Sequence, residues 1–205
     1  MLDNKGFDLW ADGYDESVGL SDEDNTYPFA GYKDVLNAIY KEVLESEAKK
    51  ILDIGFGTGT LTRRLYEKNL EVYGQDFSEE MIKIAQEKMP EAKLFAGDFT
   101  KGLVGFLKEN KYEAIIATYS LHHLTDDEKT PFIKSLYSLL NPGGEILIGD
   151  VAFESRAELE DCKEKSKNYW DDDEFYFVYD EIKEHFDNLS FEKCSFCAGV
   201  IKITK

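Results

Sequence analysis

The run Asp53-Ile54-Gly55-Phe56-Gly57-Thr58-Gly59 places three glycines at alternate positions directly after an apolar stretch and directly before a helical pattern. Glycines so spaced allow a tight turn and bring bare backbone close to a ligand lying over the helix N-terminus, where unpaired N–H groups point outward. Such a loop grips a nucleotide-like cofactor. The dinucleotide fingerprint G-x-G-x-x-G needs glycine at position 60, where this chain has Thr60, so nicotinamide binding is disfavoured though not removed. Asp53 stands two residues before the first glycine, and two later apolar runs close on Asp76 and Asp98. Asp76 lies at the distance along the chain expected of a carboxylate that accepts from the two hydroxyls of a ribose. Any one of these acids alone would read as a loop residue facing water. Together with the glycine loop they mark one ligand-binding edge.

These residues need a frame that brings strand ends together. Short apolar runs at 49–55, 71–76, 92–98, 112–119 and 144–150 alternate with helical patterns at 59–68, 78–89, 126–140 and, more weakly, near 101–110. Ser78 opens one helix, Thr125 and Glu128 form a capping box for another, and Asn141-Pro142-Gly143-Gly144 is a strong stop before the next strand. Alternation of this kind predicts an α/β fold with a mostly parallel sheet covered on both faces. Beyond Asp150 the spacing predicts a polar helix over 155–168 and a helix with an apolar face over 173–187. Strands at 191–197 and 199–205 follow, joined tightly at Ala198-Gly199 as an antiparallel edge pair. Residues 31–47 form an amphipathic helix with Val35, Leu36, Ile39, Tyr40, Val43 and Leu44 on one stripe.

The 205 residues, 42% hydrophobic, fit a single globular domain. Twenty-four basic against 42 acidic residues leave a net charge of -18, which repels phosphate backbones and anionic lipids at long range. Neither nucleic acid nor membrane is an expected partner. The first residues lack the apolar core of a secretory signal and no apolar run approaches the roughly 18 residues of a membrane span, so a cytoplasmic protein is expected. Three cysteines make no disulfide framework. Cys194 and Cys197 form a C-x-x-C in a segment that reads as extended, sending their side chains to opposite faces, and His122, His123 and His185 complete no metal-ligand spacing. No metal is expected.

The segments ILDIGFGTGTLTRRL, YGQDFSEEMIKIA, AGDF, ATYSLHHL and LLNPGGEILIGD, in order over roughly residues 48–151, resemble the successive motifs of class I S-adenosylmethionine-dependent methyltransferases. The resemblance implies a seven-stranded, mostly parallel Rossmann-like sheet with an antiparallel last strand. It implies that Asp53, Gly55, Gly57, Thr58 and Gly59, with Phe56 between them, cradle the methionine part of S-adenosylmethionine. Asp76 would then hold the ribose, Phe77 lie beside the adenine, Asp98 accept from the adenine amine and Phe99 supply backbone contact. Tyr119, at the end of the fourth strand, would lie near the sulfonium, with Ser120, Leu121, His122 and His123 behind it; Tyr14 of the aromatic opening is counted with the cofactor site. Glu113 departs from the aspartate more usual there. FDLWADGYDESVG and YPFAGYKDVLNAI are similar to the start of a group of small-molecule methyltransferases of Gram-positive bacteria.

Methyl transfer from a sulfonium is an in-line displacement that positioning and desolvation can accelerate without a dedicated nucleophile. If the acceptor needs a base, His122 or His123 suits neutral pH; the alternative is that both shape the pocket or cap the following helix. Tyr119 and His122 are the catalytic candidates. Aromatic residues in segments the sheet does not need, among them Trp10, Tyr14, Tyr27, Phe29, Tyr169, Trp170, Phe175 and Tyr176, suit a lid that favours a cation, or simple packing. The acidic run 171–174 reads as a solvated face or helix start. The expected protein is one domain in which 1–47 and the inserted 152–189 shape the site of a small-molecule acceptor. A nicotinamide oxidoreductase and a non-catalytic binder of S-adenosylmethionine or S-adenosylhomocysteine stay open beside it.

Overall fold

The computed structural model describes residues 25–205. In chain order they form α1 (Tyr32–Glu45), β1 (Lys50–Ile54), α2 (Thr60–Tyr66), β2 (Glu71–Asp76), α3 (Glu79–Lys88), β3 (Lys93–Ala96), α4 (Gly105–Lys108) and β4 (Tyr112–Thr118). Then follow α5 (Asp126–Ser138), β5 (Leu140–Phe153), α6 (Arg156–Lys165), β6 (Phe177–Val178), α7 (Tyr179–Ile182), β7 (Leu189–Lys193) and β8 (Ala198–Thr204). Short 3-10 turns stand at Phe99–Lys101, Leu121–His123 and Lys183–His185.

Seven strands run side by side in the order β3-β2-β1-β4-β5-β8-β7, and β6 adds a two-residue strand beside β5. Strands β1 to β5 pair in parallel, β8 lies antiparallel between β5 and β7, and this is the α/β sheet with an antiparallel last strand that the motifs imply. Chain order reverses between β1 and β4, and at such a switch point the loops after neighbouring strands part to open a crevice. Residues 51–54 of β1 are all buried, because helices cover both faces. The two-residue period of the strands divides the core: Ile51, Ile116 and Leu147 pack with α1 on one face, Leu52, Ile115 and Ile146 with α5 on the other. Helix α1 buries Val35, Leu36, Ile39 and Val43 as its spacing requires. Its close approach to β5 depends on Gly149, where a Cβ would stand 2.4 Å from Val35 Cγ1.

Local signals in the sequence match these boundaries. Ser78 Oγ accepts the Met81 N–H at 3.2 Å, and the Glu128 carboxylate takes the Thr125 N–H at 3.0 Å and its hydroxyl at 2.7 Å. Glu113 explains its own extra length: one oxygen accepts the Lys50 N–H at 2.7 Å and the other the Asn141 amide at 2.9 Å, tying β1, β4 and the start of β5 together.

Three expectations are corrected. Asn141–Gly144 does not end an element: Tyr112 pairs with Leu140 and Ala114 with Glu145, so the turn is looped out within β5. Residues 173–187 are not one helix. Tyr176, Phe177 and Val178 are buried in succession, which no single helical face allows, and the last two pair with Ala152 and Phe153. The edge hairpin turns at Cys194–Cys197, not at Ala198-Gly199. Cys194 and Ser195 both donate their N–H to Ala198 O, and Ser195 Oγ accepts from the Cys197 and Ala198 N–H groups. Gly199 is glycine for a different reason: a Cβ there would meet the Phe191 ring at 2.4 Å. The C-x-x-C therefore sits in a turn, with Cys197 buried and Cys194 half-buried.

Candidate functional site

Strands β1, β2 and β4 end at one edge, and each contributes to a cavity there. After β1 the chain turns through Gly55 at φ 70° and Gly57 at φ 55°, left-handed values that glycine adopts without cost. A Cβ on Gly55 would stand 2.5 Å from Ser120 Cβ, whereas one on Gly57 would have nothing within 4 Å, so Gly57 presents open backbone to the cavity. At the end of β2 the Asp76 carboxylate accepts the Gly57 N–H at 2.8 Å with one oxygen and the Ser78 N–H at 2.9 Å with the other. One buried acid thus fixes both the glycine loop and the start of α3. Ser120, after β4, donates to Ile54 O at 2.7 Å and locks the third strand end to the first.

Of the residues singled out from sequence, Gly55, Phe56, Gly57, Thr58, Asp76, Phe77, Phe99 and Tyr119 line this cavity. Tyr32, Thr118, Ser120 and His123 line it too; only the last two had been placed near the site, because wall position is set by tertiary packing rather than by any local motif. Gly59 and Asp98 do not form its wall. Gly59 is the close-packing glycine, with the site of its Cβ 2.9 Å from Met89 Cε. Asp98 folds onto its own turn, accepting the Thr100 N–H at 3.0 Å and hydroxyl at 2.6 Å and pairing with Lys101 at 2.9 Å. Tyr14 lies outside the described residues.

Asp53 stands one layer behind the loop, 1% exposed. Its Oδ2 accepts the Thr62 hydroxyl at 2.5 Å, and Oδ1 has no hydrogen-bond partner among the described residues. Burial pushes the carboxyl up to about 7, Thr62 opposes the shift, and Asp76 adds to it. The folded state therefore holds this proton more tightly than the unfolded chain, whose value is near 3.8, so stability from this group is lost as pH rises from about 4 through about 7. Asp53→Asn, which keeps size and removes the titration, is expected to flatten that fall when chemical denaturation is followed across the window. An undiminished slope would show that Asp53 is already ionised in the fold.

Tyr119 holds a left-handed backbone at φ 49°, unusual for a bulky residue, with its ring centroid 5.4 Å from Phe29 and 5.1 Å from Tyr32. Its hydroxyl is buried without a hydrogen-bond partner among the described residues. Burial first, and Asp150 second, hold the phenol well above its ordinary value, so it stays neutral. The two histidines differ. His122, taken from sequence as the base, does not line the cavity: it is buried with Nδ1 2.7 Å from Asp150 and Nε2 3.6 Å from Glu174. Burial pulls its pKa down, but the two carboxylates outweigh burial and the net shift is upward. His123 faces the cavity, and burial together with His122 lowers its pKa to about 4, leaving a neutral, weakly basic ring at neutral pH.

The aromatic segments that precede and follow the parallel strands in the chain meet on one face of the sheet. Tyr27 stacks on Trp170 at 5.3 Å, Trp170 meets Tyr176 edge-on at 4.9 Å, and the hydroxyls of Tyr27 and Tyr176 share a hydrogen bond. Phe29, Tyr32 and Tyr119 form a second group of rings in the same core.

A family model described as a methyltransferase domain matches residues 51–144, the stretch that carries the loop and the strand ends just described. An uncharacterized methyltransferase of Geobacillus sp. (strain WCH70) is 36% identical over 193 residues, covering 90% of this chain and 87% of the relative. The chain belongs to the methyltransferase family. A second relative of this methyltransferase, from Alkaliphilus oremlandii (strain OhILAs), is 32% identical over 89% of this chain and 81% of its own. Among solved structures, the magnesium protoporphyrin IX methyltransferase of Synechocystis PCC 6803 with bound SAH superposes at a TM-score of 0.66, with 17% identity and coverage of 86% and 84%. That likeness is one of fold. No helix among the described residues is long and apolar enough to cross a membrane.

Proposed function

We propose that this methyltransferase transfers the methyl group of S-adenosylmethionine to a small-molecule acceptor in the cavity at the ends of β1, β2 and β4. Asp76 carries the reading. It lines the cavity and brings two acceptor oxygens, fixed by the Gly57 and Ser78 N–H groups, of the kind that the two hydroxyls of a ribose would require. The other residues fit the same cofactor: Gly57 offers open backbone beside Thr58 for the amino-acid end, and Phe77 and Phe99 offer flat apolar faces for the adenine, whereas Asp98, turned onto Thr100 and Lys101, is not needed for it.

When bound, S-adenosylmethionine supplies an activated methyl group on a sulfonium. The chain's own contribution is positioning and exclusion of water. Tyr119, with Phe29 and Tyr32 packed on its ring, forms an aromatic wall that favours positive charge and keeps its phenol uncharged. No strong base faces the cavity among the described residues: His123 is too weakly basic at neutral pH, and His122 is turned to carboxylates. An acceptor that is nucleophilic without prior proton removal, such as a neutral amine, suits this wall. A surface carrying -18 supports a small molecule over a nucleic acid.

The test is transfer of label from methyl-labelled S-adenosylmethionine into small amines, thiols and hydroxy compounds by the purified chain. Labelled product from one class supports the reading; binding of the cofactor with no product from any class favours a non-catalytic binder. Tyr119→Ala is expected to lower turnover at least about tenfold through loss of positioning. Unchanged cofactor affinity together with unchanged turnover would remove Tyr119 from the site.

A further inference from the structure

We propose that His122, His123 and Glu174 form a binding site for one divalent transition-metal ion, Zn²⁺ being the best match, at the edge of the cavity. One ligand atom from each residue lies within 4.8 Å of the other two. Two imidazoles and one carboxylate are a donor set that borderline ions such as Zn²⁺ favour, with a fourth position left for water or another ligand. Ligands about 2.1 Å from a tetrahedral ion stand roughly 3.4 Å apart. His122 Nε2 and Glu174 Oε1 already do so, at 3.6 Å. Since the three ligand atoms lie within 4.8 Å of one another, no pair of them has more than about 1.4 Å to close, a distance within the reach of a side-chain rotation.

The groups behind these ligands are built as metal sites require. A ligating imidazole normally donates its other N–H to a carboxylate, which fixes the tautomer and turns the remaining lone pair to the ion. His122 does this, with Nδ1 2.7 Å from Asp150 Oδ1 and Asp150 itself 1% exposed. Glu174 is likewise oriented, because Tyr176 donates its hydroxyl to Oε2 at 2.6 Å and leaves Oε1 toward His122. The Phe175 N–H donates to His122 O at 2.8 Å, so the two chain segments that supply the ligands are tied by backbone. Glu174 follows His123 by about fifty residues, and the two segments meet only through the fold, which is why residue spacing gives no sign of the site. His123 also lines the cavity, so an ion here would sit where it lowers the pKa of a ligating water or acceptor hydroxyl. Metal binding can be read out without methyl transfer, so its failure is distinguishable from failure of the functional reading.

The competing arrangement is a proton in place of the ion, with His122 as a cation between Asp150 and Glu174. Calorimetric titration of the chelator-stripped full chain with Zn²⁺ separates the two. One equivalent is expected, weakened at least tenfold by Glu174→Gln and by His123→Asn, and unaffected by Cys162→Ser or Cys194→Ser. Imidazole resonances of the unmodified protein give the same test without substitution: Zn²⁺ should shift His122 and His123 and leave the exposed His185 in place. Absence of saturable binding, affinity in both ligand variants unchanged from that of the unmodified chain, loss in the cysteine variants, or a shift confined to His185 would each overturn the site.

Discussion

Asp76→Ala is expected to weaken binding of S-adenosylmethionine by roughly 5- to 150-fold, the about 1–3 kcal/mol that charged hydrogen bonds contribute. Two losses combine. The ligand loses its ribose acceptor, and the Gly57 and Ser78 N–H groups lose the carboxylate that holds the glycine loop against the start of α3. Asp76→Asn separates them, since an amide can still accept one of these bonds but offers donors where the other oxygen stood. Calorimetry on both variants is the check. Unchanged affinity in the alanine variant would remove Asp76 from the cofactor site, and with it the observation on which the functional reading rests.

Gly55→Ala is expected to lower stability by about 2–5 kcal/mol and to abolish cofactor binding. An alanine at φ 70° costs about 1–2 kcal/mol of backbone strain. Its methyl would stand 2.5 Å from Ser120 Cβ, and Ser120 cannot withdraw freely because its hydroxyl is bonded to Ile54 O. Overpacking of this kind adds about 1–3 kcal/mol. Gly57→Ala is the internal control: φ is 55° there, but nothing lies within 4 Å of the added methyl, so only the strain remains. Chemical denaturation that finds the two variants equally stable would contradict the close packing of the β1 and β4 ends.

The sheet was legible because its signals are local. The apolar runs ending at Ile54, Asp76 and Thr118 and the caps at Ser78 and Thr125 needed no knowledge of distant neighbours, and the glycine loop is contiguous in sequence. What failed depended on the third dimension. Phe177-Val178 continues an apolar helical pattern, yet β5 runs past its neighbour and offers Ala152 and Phe153 as partners. Gly199 looked like a turn residue, and only the Phe191 ring across the strand shows why it is glycine. His122 and His123 are adjacent in sequence and equal by type. Asp150 on β5 and Glu174 in the segment before β6 hold one away from the cavity and leave the other on its wall. Likewise, nothing local distinguishes Glu174 from the exposed acids before it until Tyr176 is seen to hold it.

Cofactor identity is the claim on which the rest depends, and calorimetric titration of the ligand-free chain with S-adenosylmethionine, S-adenosylhomocysteine and a nicotinamide dinucleotide tests it directly. Saturable one-to-one binding of the first two, with none of the third, is the expected result. Binding of the nicotinamide dinucleotide alone would contradict the account and assign the glycine loop to hydride chemistry.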